Sequence, residues 1–456
     1  MCHGVLCGLV FDGDLPPQRG RNGRQMAQSR DERHPNSSGK GPGQHGQPPI
    51  RTRRSLTHVG GAVETEGDPA DIQKLEFALQ VRPSTDQEDD LTRAHVHGFH
   101  SYPARMHPVT AHRLARGFTP MGGRLLDPFC GSGTVLVESM LLGLKPTGFD
   151  LNPLAVRLAR CKTTPRTDGE LNHMVGQASE CAAFADDRRK TKAGASRRFG
   201  AEDVALFEPH VLLELDSLLE GIRSLGRDPA RTDLELVLSS LLVKLSRRQA
   251  DTSKAVGTRR LAAGHATRQF LGKARELARR LAEFRGLLPS AAVPPAKVKQ
   301  GNATLPAEVP AGPFDAVVTS PPYAATYDYI EHHALRLRWL GLDTAALEHG
   351  ELGARSRYNR MNPQIAGKEW VGELTGFLRA MCGVLKPGSP LVLMMADSAL
   401  GQVALRADEL VAEAARASGF KPAARASQAR PHFHGPSSVA FRQRPRQEHA
   451  IVLRKA

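Results

Sequence analysis

The pattern of apolar and polar positions changes character several times along the chain. From about Asp14 to Asp90 there is little hydrophobic periodicity outside a short run near Leu75 to Val81. The residues there are mainly Gly, Pro, Ser, Gln, Arg and Asp. Such a composition buries too little apolar surface to offset the cost of ordering, so residues 1–90 are expected to be a largely disordered tail. Ordered patterning begins near Phe99. Arg124-Leu125-Leu126-Asp127 reads as a strand end, Pro128 to Gly133 as a glycine-bearing turn, Thr134 to Leu144 as a helix, and Pro146 to Asp150 as a second, short strand. Strand, turn, helix and strand in that order open a doubly wound α/β sheet.

Between about Thr164 and Pro294 the period becomes helical. A charged stretch, Asp186 to Arg198, is expected to be mobile. Leucines are dense over Val204 to Leu225 and over Leu234 to Leu245. Further on, Phe270, Leu271, Ala274, Leu277, Ala278, Leu281 and Phe284 share one helix face, with Lys273, Arg275, Arg279 and Arg280 off it. Residues 165–295 are therefore expected to be a helical insertion. Strand–helix alternation then resumes. Phe314 to Thr319 reads as a buried strand, and Trp370 to Leu385 as a helix stopped by Lys386-Pro387-Gly388. Leu391 to Met395 reads as another strand, and Ala407 to Ala417 as a helix with Gly419 just beyond it. His449 to Leu453 closes the series. The expected fold is a Rossmann-like α/β domain made of residues 95–164 and 296–456, split by the insertion.

Composition narrows the partners. The chain carries 62 Lys and Arg against 47 Asp and Glu, a formal charge of +15. That excess favours a polyanion, of which nucleic acid is the commonest, although the chain's richness in Arg, Ala and Gly, as high-GC genomes encode, accounts for it as well. No segment is long and apolar enough for a bilayer, so no membrane partner is expected. The first residues, MCHGVLCGLVFDGDLPP, have no basic region before their apolar run, so a cytoplasmic location is expected rather than export. Six cysteines, Cys2, Cys7, Cys130, Cys161, Cys181 and Cys382, are scattered without a CxxC pair. Neither a zinc site nor a disulfide framework is expected, which fits a reducing compartment.

The chemistry concentrates at two strand ends. In Asp127-Pro128-Phe129-Cys130-Gly131-Ser132-Gly133-Thr134, two glycines let the backbone approach a ligand, and the following helix start offers unpaired N–H groups. The third glycine of a dinucleotide turn is missing. Asp150, at the end of the next strand, has the chemistry to accept both hydroxyls of a ribose. The second constellation, Thr319-Ser320-Pro321-Pro322-Tyr323, follows the strand FDAVVT. Its prolines fix φ and remove two donors, so its carbonyls are rigidly presented. A planar primary amine needs such acceptors around its protons, and Tyr323 offers a ring to stack on.

These strings resemble the amino-methylating DNA methyltransferases, which modify N4 of cytosine or N6 of adenine. DPFCGSGT is similar to their cofactor motif, GFDLNP (148–153) to the segment after the second strand, and TSPPY to their catalytic motif. Phe99 to Pro108, FHSYPARMHP, resembles the segment that closes over the cofactor. Gly301-Asn302-Ala303 resembles the third-strand motif, where the family more often has Asp in the middle. VLKPG (384–388), LVLMMADS (391–398) and HAIVL (449–453) resemble later core motifs. The resemblance runs from Phe99 to Lys455, apart from the insertion. It implies a class I methyltransferase sheet with S-adenosylmethionine as cofactor. Tyr102, Asp127, Pro128, Phe129, Gly131, Gly133, Thr134, Asp150, Leu151 and Asn302 would bind that cofactor, and Ser320, Pro321, Pro322 and Tyr323 would form the catalytic loop. No metal is required. DNA is the implied partner, with RNA behind it.

The resemblance also implies that the segment between the cofactor and catalytic motifs recognises the target. The basic insertion is then a candidate nucleic-acid surface, with Lys244 to Gln249 as a phosphate-contacting run; a packing insertion or dimer surface is the alternative. Ring-carbon methylation would need a thiolate, commonly in a Pro-Cys dipeptide, and none occurs. Serine before Pro-Pro-Tyr leans towards a site-specific cytosine-N4 enzyme, of the kind found in restriction–modification pairs. Adenine N6, a guanine-N2 tRNA methyltransferase, and a non-catalytic nucleic-acid-binding protein on a degenerate core remain alternatives.

Overall fold

The structure, a computed structural model, describes residues 61–81, 92–249, 257–290, 293–430 and 435–456. Its central sheet has eight strands, numbered in chain order. In space they run β1 (Val63–Gly67), β9 (Phe420–Ala429), β10 (Gln447–Lys455), β6 (Pro390–Ala396), β5 (Ala316–Thr319), β2 (Arg124–Asp127), β3 (Lys145–Asp150), β4 (Lys297–Gln300). The five strands from β6 to β4 are parallel, whereas β10 is antiparallel to β6 and β9, and β9 to β1. The residues of β5 and β6 are buried throughout, which is why both read as unbroken apolar runs. From β2 the chain winds outward to β3 and β4, then returns to β5 on the other side. The carboxyl ends of β2 and β5 are thus the topological switch point, where such sheets bind ligands. This is the doubly wound, Rossmann-like sheet expected, extended by an antiparallel edge. Beside it, β7 (Ser398–Leu400) and β8 (Val403–Leu405) form a small hairpin.

The expected tail is corrected in part. Residues 1–60 and 82–90 lie outside the described residues, but β1 and the helix α1 (Pro69–Leu79) belong to the fold. β1 pairs with β9, and Leu75, Ala78 and Leu79 of α1 are buried beside α2 (Pro108–Phe118). The strand VETEG is an exposed, polar edge, so it carries no alternation to read. The helix start was legible, since Asp68 caps Asp71 N–H at 3.0 Å and Pro69 takes the first helical position.

Flanking the parallel strands are α3 (Thr134–Leu141) and α4 (Pro153–Thr163). The insertion follows as α5 (Asp168–Lys190), α6 (Ala201–Leu206), α7 (Pro209–Ser224), α8 (Ala230–Leu245) and α9 (His265–Leu287). The stretch expected to be mobile begins as the last turn of α5. That helix opens on a Thr167–Glu170 capping box and ends on Arg188, Arg189 and Lys190, which suit the negative end of its dipole. Its buried side is spaced helically, through Leu171, Met174, Ala178, Cys181 and Ala185. The residues are mostly small, so the sequence signal is faint. Pro209 splits the leucine-rich run after Val204 into α6 and α7. α8 is buried almost all round, and its acids are paired outward, Glu235 with Arg157 at 2.5 Å and Asp233 with Arg166 at 2.9 Å. On α9 the expected apolar face is buried at Phe270, Ala274, Leu277, Leu281 and Phe284.

The insertion does not bury its core alone. The same apolar cluster includes Val96, Phe99 and Tyr102 from the loop before α2. It also takes in Leu335, Leu337 and Trp339 from α10 (Tyr329–Leu340) and Leu347 from α11 (Ala345–Gly350). The chain then passes through α12 (Arg355–Tyr358) and α13 (Pro363–Val384) to β6, and α14 (Ala407–Arg416) precedes β9. No helix of the described residues is long and apolar enough to cross a membrane.

Candidate active site

The turn after β2 bends sharply because Gly131 and Gly133 have φ of 49° and 87°. A Cβ on Gly131 would sit 3.4 Å from the Tyr102 ring, and one on Gly133 would sit 3.1 Å from Ala159 of α4. The first glycine therefore leaves room at the cleft, while the second lets α3 and α4 pack closely. Gly131 N–H donates to Asp150 Oδ2 at 2.9 Å, and Asn152 N–H to Oδ1 at 2.9 Å. Burial nonetheless raises the Asp150 carboxyl to about 6. Asp127 Oδ1 accepts the Thr319 hydroxyl at 2.6 Å, which ties the ends of β2 and β5 together. Burial raises Asp127 to about 7, against the bonds from Thr319 and Phe129 N–H. Both carboxyls are thus poised near neutrality and have no Lys or Arg partner among the described residues.

These residues border a cleft lined among others by Tyr102, Pro128, Phe129, Gly131, Asp150, Leu151, Asn302, Ser320 and Pro322. A second, smaller space is lined by Asp127 and Thr134 with Tyr102, Phe129, Gly131 and Ser320. Residues distant in sequence are therefore brought together from both constellations. Gly133, Pro321 and Tyr323 line neither space. Sequence reasoning missed Ala104, Asn152, Tyr329, Leu347, Gly350 and Glu351, which line the larger cleft. Asn152 was within reach of a sequence reading, since its Oδ1 caps Leu154 N–H of α4 at 2.9 Å, just before Pro153. Tyr329 to Glu351 gave no signal, because they face the cleft only through the packing of α10 and α11.

The cleft's chemistry fits an adenosyl ligand. It offers a titratable carboxyl for hydroxyl donors, apolar walls from Phe129, Pro128 and Leu151, and a glycine cradle that a Cβ would narrow. Asn302 contributes differently from the Asp usual in the resembling family. Its Oδ1 is taken by Thr304 N–H at 2.9 Å and Thr304 Oγ1 at 2.8 Å. Only its Nδ2 is left to meet a ligand, as a donor.

The loop after β5 is held in place from outside. Ala325, at φ 54°, donates its N–H to the Gly353 carbonyl at 2.9 Å. Arg355 N–H donates to the Tyr327 carbonyl at 3.1 Å, and Ser356 N–H to Asp328 Oδ1 at 2.9 Å. The Tyr323 and Ser320 hydroxyls are hydrogen-bonded, and burial lifts the Tyr323 phenol above its ordinary value. Cys130 is buried against Leu136 and Ala159, and burial pushes its thiol well up, so it is no thiolate nucleophile. Two buried groups rich in His and carboxylate also appear away from the cleft, His95 with His97 and Glu138, and Asp397 with Asp408 and His449. In each the carboxylates already accept from protein donors, Glu138 from His97 and His112, Asp397 from Arg406, and Asp408 from Arg444.

Residues 64–160 match the DNA methylase family N6_N4_Mtase. That span starts in β1, so it reaches into the segment expected to be a tail. The chain is 28% identical over 271 residues to the Type II methyltransferase M.MvaI of Kocuria varians, covering 55% of this chain and 59% of that one. It is 33% identical over 91 residues to the Type II methyltransferase M.MjaII of Methanocaldococcus jannaschii, covering 20% and 17%. The match thus spans about three fifths of the first relative and a smaller part of the second. Among solved structures, the rRNA methyltransferase aviRa from Streptomyces viridochromogenes aligns over 83% of this chain and 95% of that one, at 15% identity and a TM-score of 0.31. At that score the fold assignment rests on strand order, not on the superposition.

Proposed function

We propose that the chain is an amino-group DNA methyltransferase that methylates an exocyclic amine of a DNA base, site-specifically, with cytosine N4 as the acceptor. One observation carries the reading. Ser320 and Pro322 of the SPPY loop share a cleft with Gly131, Asp150 and Tyr102 at the switch point of the sheet. Bound S-adenosylmethionine supplies an electrophilic sulfonium methyl group. Asp150 would hold its ribose hydroxyls, Leu151 and Phe129 its apolar surfaces, and Asn302 Nδ2 an acceptor of its adenine.

The remaining work falls to the chain's own residues. A base paired in a duplex cannot present its amine to the cleft, so the target must be extruded. Tyr323 gives the extruded base a stacking surface beside the loop. Ser320 Oγ and the carbonyls fixed by Pro321 and Pro322 accept the amine protons, leaving the nitrogen lone pair directed at the methyl. Positioning and these preset acceptors supply most of the rate. Serine before Pro-Pro-Tyr is the feature that favours cytosine over adenine. A thiolate mechanism at a ring carbon has no support, because burial pushes the thiol of Cys130, the one cysteine beside the cleft among the described residues, well up.

Transfer of labelled methyl from S-adenosylmethionine to genomic DNA and to total RNA, followed by nucleoside mass spectrometry, tests the proposal. N4-methylcytosine is the expected product. N6-methyladenine would move the acceptor to adenine, and methylated guanosine in RNA would overturn DNA as substrate.

A further inference from the structure

Tyr102 stands on the loop that forms one wall of the cleft, and contacts from outside that loop hold it. Its ring stacks on His333 of α10, with centroids 4.7 Å apart and planes 21° from parallel. The preceding residue, Ser101, accepts a hydrogen bond from Arg336 Nη2 at 3.2 Å. The same guanidinium donates through Nε to the Ser239 carbonyl of α8, inside the insertion, at 3.3 Å. Ser239 Oγ is in turn hydrogen-bonded to His100 Nε2 at 3.1 Å. Both residues next to Tyr102 on its N-terminal side are therefore fastened to one serine of the insertion, directly or through Arg336.

Helical spacing explains how one element does this. Tyr329, His333 and Arg336 stand at i, i+4 and i+7, so they share a face of α10. Tyr329 lines the cleft, His333 meets Tyr102, and Arg336 reaches the insertion. The helix is itself locked to the insertion, since Trp339 Nε1 donates to Asp203 Oδ1 at 3.0 Å and Arg338 Nη2 to the same oxygen at 2.7 Å.

His333 is an unusual choice for a mere filler. It is fully buried, yet neither ring nitrogen has a hydrogen-bond partner. Burial holds the imidazole well below its usual range, so it is neutral. A buried ring that forgoes both hydrogen bonds costs more than an apolar ring of the same shape. What remains for it is its flat face, and that face is turned to Tyr102.

We propose that His333 and Arg336 are positioning residues for Tyr102, and that the helical insertion serves, through Ser239, as the frame holding the cofactor side of the cleft closed. The proposal rests on reading the cleft as the S-adenosylmethionine site. It gives the insertion a task that does not require it to touch nucleic acid.

Isothermal titration of the full chain with S-adenosylmethionine, beside filter binding of a DNA duplex without cofactor, tests it. His333→Ala is expected to weaken cofactor binding about 3- to 10-fold, the worth of one aromatic stack, while DNA affinity stays within about twofold. His333→Phe keeps the flat face and is expected to restore cofactor affinity to within about twofold of the parent. Ser101→Ala truncates an exposed side chain, leaves the core intact, and is expected to lose affinity in the same direction by less; it carries the test should His333→Ala not fold. Parental cofactor affinity in both alanine variants, or a Phe variant as weak as the Ala variant, overturns the proposal. A parent chain that binds DNA but no S-adenosylmethionine overturns the reading of the cleft, which is a different failure.

Discussion

Asp150 accepts from backbone N–H groups, those of Gly131 and Asn152 at 2.9 Å among them, and faces no cation, so burial dominates and its carboxyl stands at about 6. The folded value lies above the unfolded one, so the folded chain binds more protons between about pH 4 and 6. Stability on this residue's account therefore falls as pH rises through that window. Cofactor binding has the opposite sign, because ribose hydroxyls need the ionised acceptor. S-adenosylmethionine affinity is expected to drop about tenfold between pH 7 and pH 5, a change that calorimetry follows and that Asp150→Asn should flatten. Ser320 is expected to act on the reaction and not on the cofactor. Ser320→Ala should slow single-turnover transfer about a hundredfold and leave cofactor affinity within about twofold. Full activity in that variant would remove serine from the mechanism.

At the level of elements, the close approach of α3 and α4 sets the cofactor turn. Gly133 caps α3 at φ 87°, with Ala159 of α4 where a Cβ would go. Gly133→Ala meets both a left-handed backbone and a clash. It is expected to destabilise the chain by about 1–3 kcal/mol in urea melts and to weaken cofactor binding together with stability. Gly131→Ala differs, because its Cβ would meet only the Tyr102 ring at 3.4 Å. It should affect cofactor binding more than the urea midpoint, and equal losses in both would show that the two glycines do the same work. In the insertion, Thr167 bonds Glu170 reciprocally at the start of α5, so Thr167→Ala should cost about 1 kcal/mol without altering transfer at 25 °C.

Across the whole molecule, positive charge is used in different ways. In the insertion many arginines are consumed internally, as Arg166 with Asp233, Arg197 with Asp216, Arg247 with Glu208 and Arg280 with Glu276. Arg247 lies in the run expected to meet phosphates. By contrast, Arg355, Arg360 and Arg442 are exposed and form no ion pair among the described residues. Arg355 starts α12, which is bonded to the loop after β5 through Tyr327. Arg442 lies shortly before Arg446, whose charge is felt by Tyr323 and Tyr327. Replacing all three by alanine is expected to weaken DNA binding and to lower the slope of log affinity against log salt by about 2–3. An unchanged slope would place the DNA elsewhere, with the insertion as the next surface to test.

What the sequence by itself determined is local. The parallel strands announce themselves as apolar runs because both of their faces are covered. The two chemical strings stand at strand ends because tight turns need glycine and proline wherever they occur. The long amphipathic face of α9 needs only its own period. β1 and α5 were obscured for an equally local reason, one being a polar edge and the other relying on small buried residues. Only the tertiary structure decided which strings meet. The return of the chain from β4 to β5 joins Thr319 to Asp127 and puts Ser320 into the cleft with Asp150. Likewise no pattern in α10 reveals that His333 faces Tyr102, because that contact depends on how an insertion, a loop and a helix pack against one another. Periodicity records what each segment buries, whereas what it is buried against is set by the sum of all the packing.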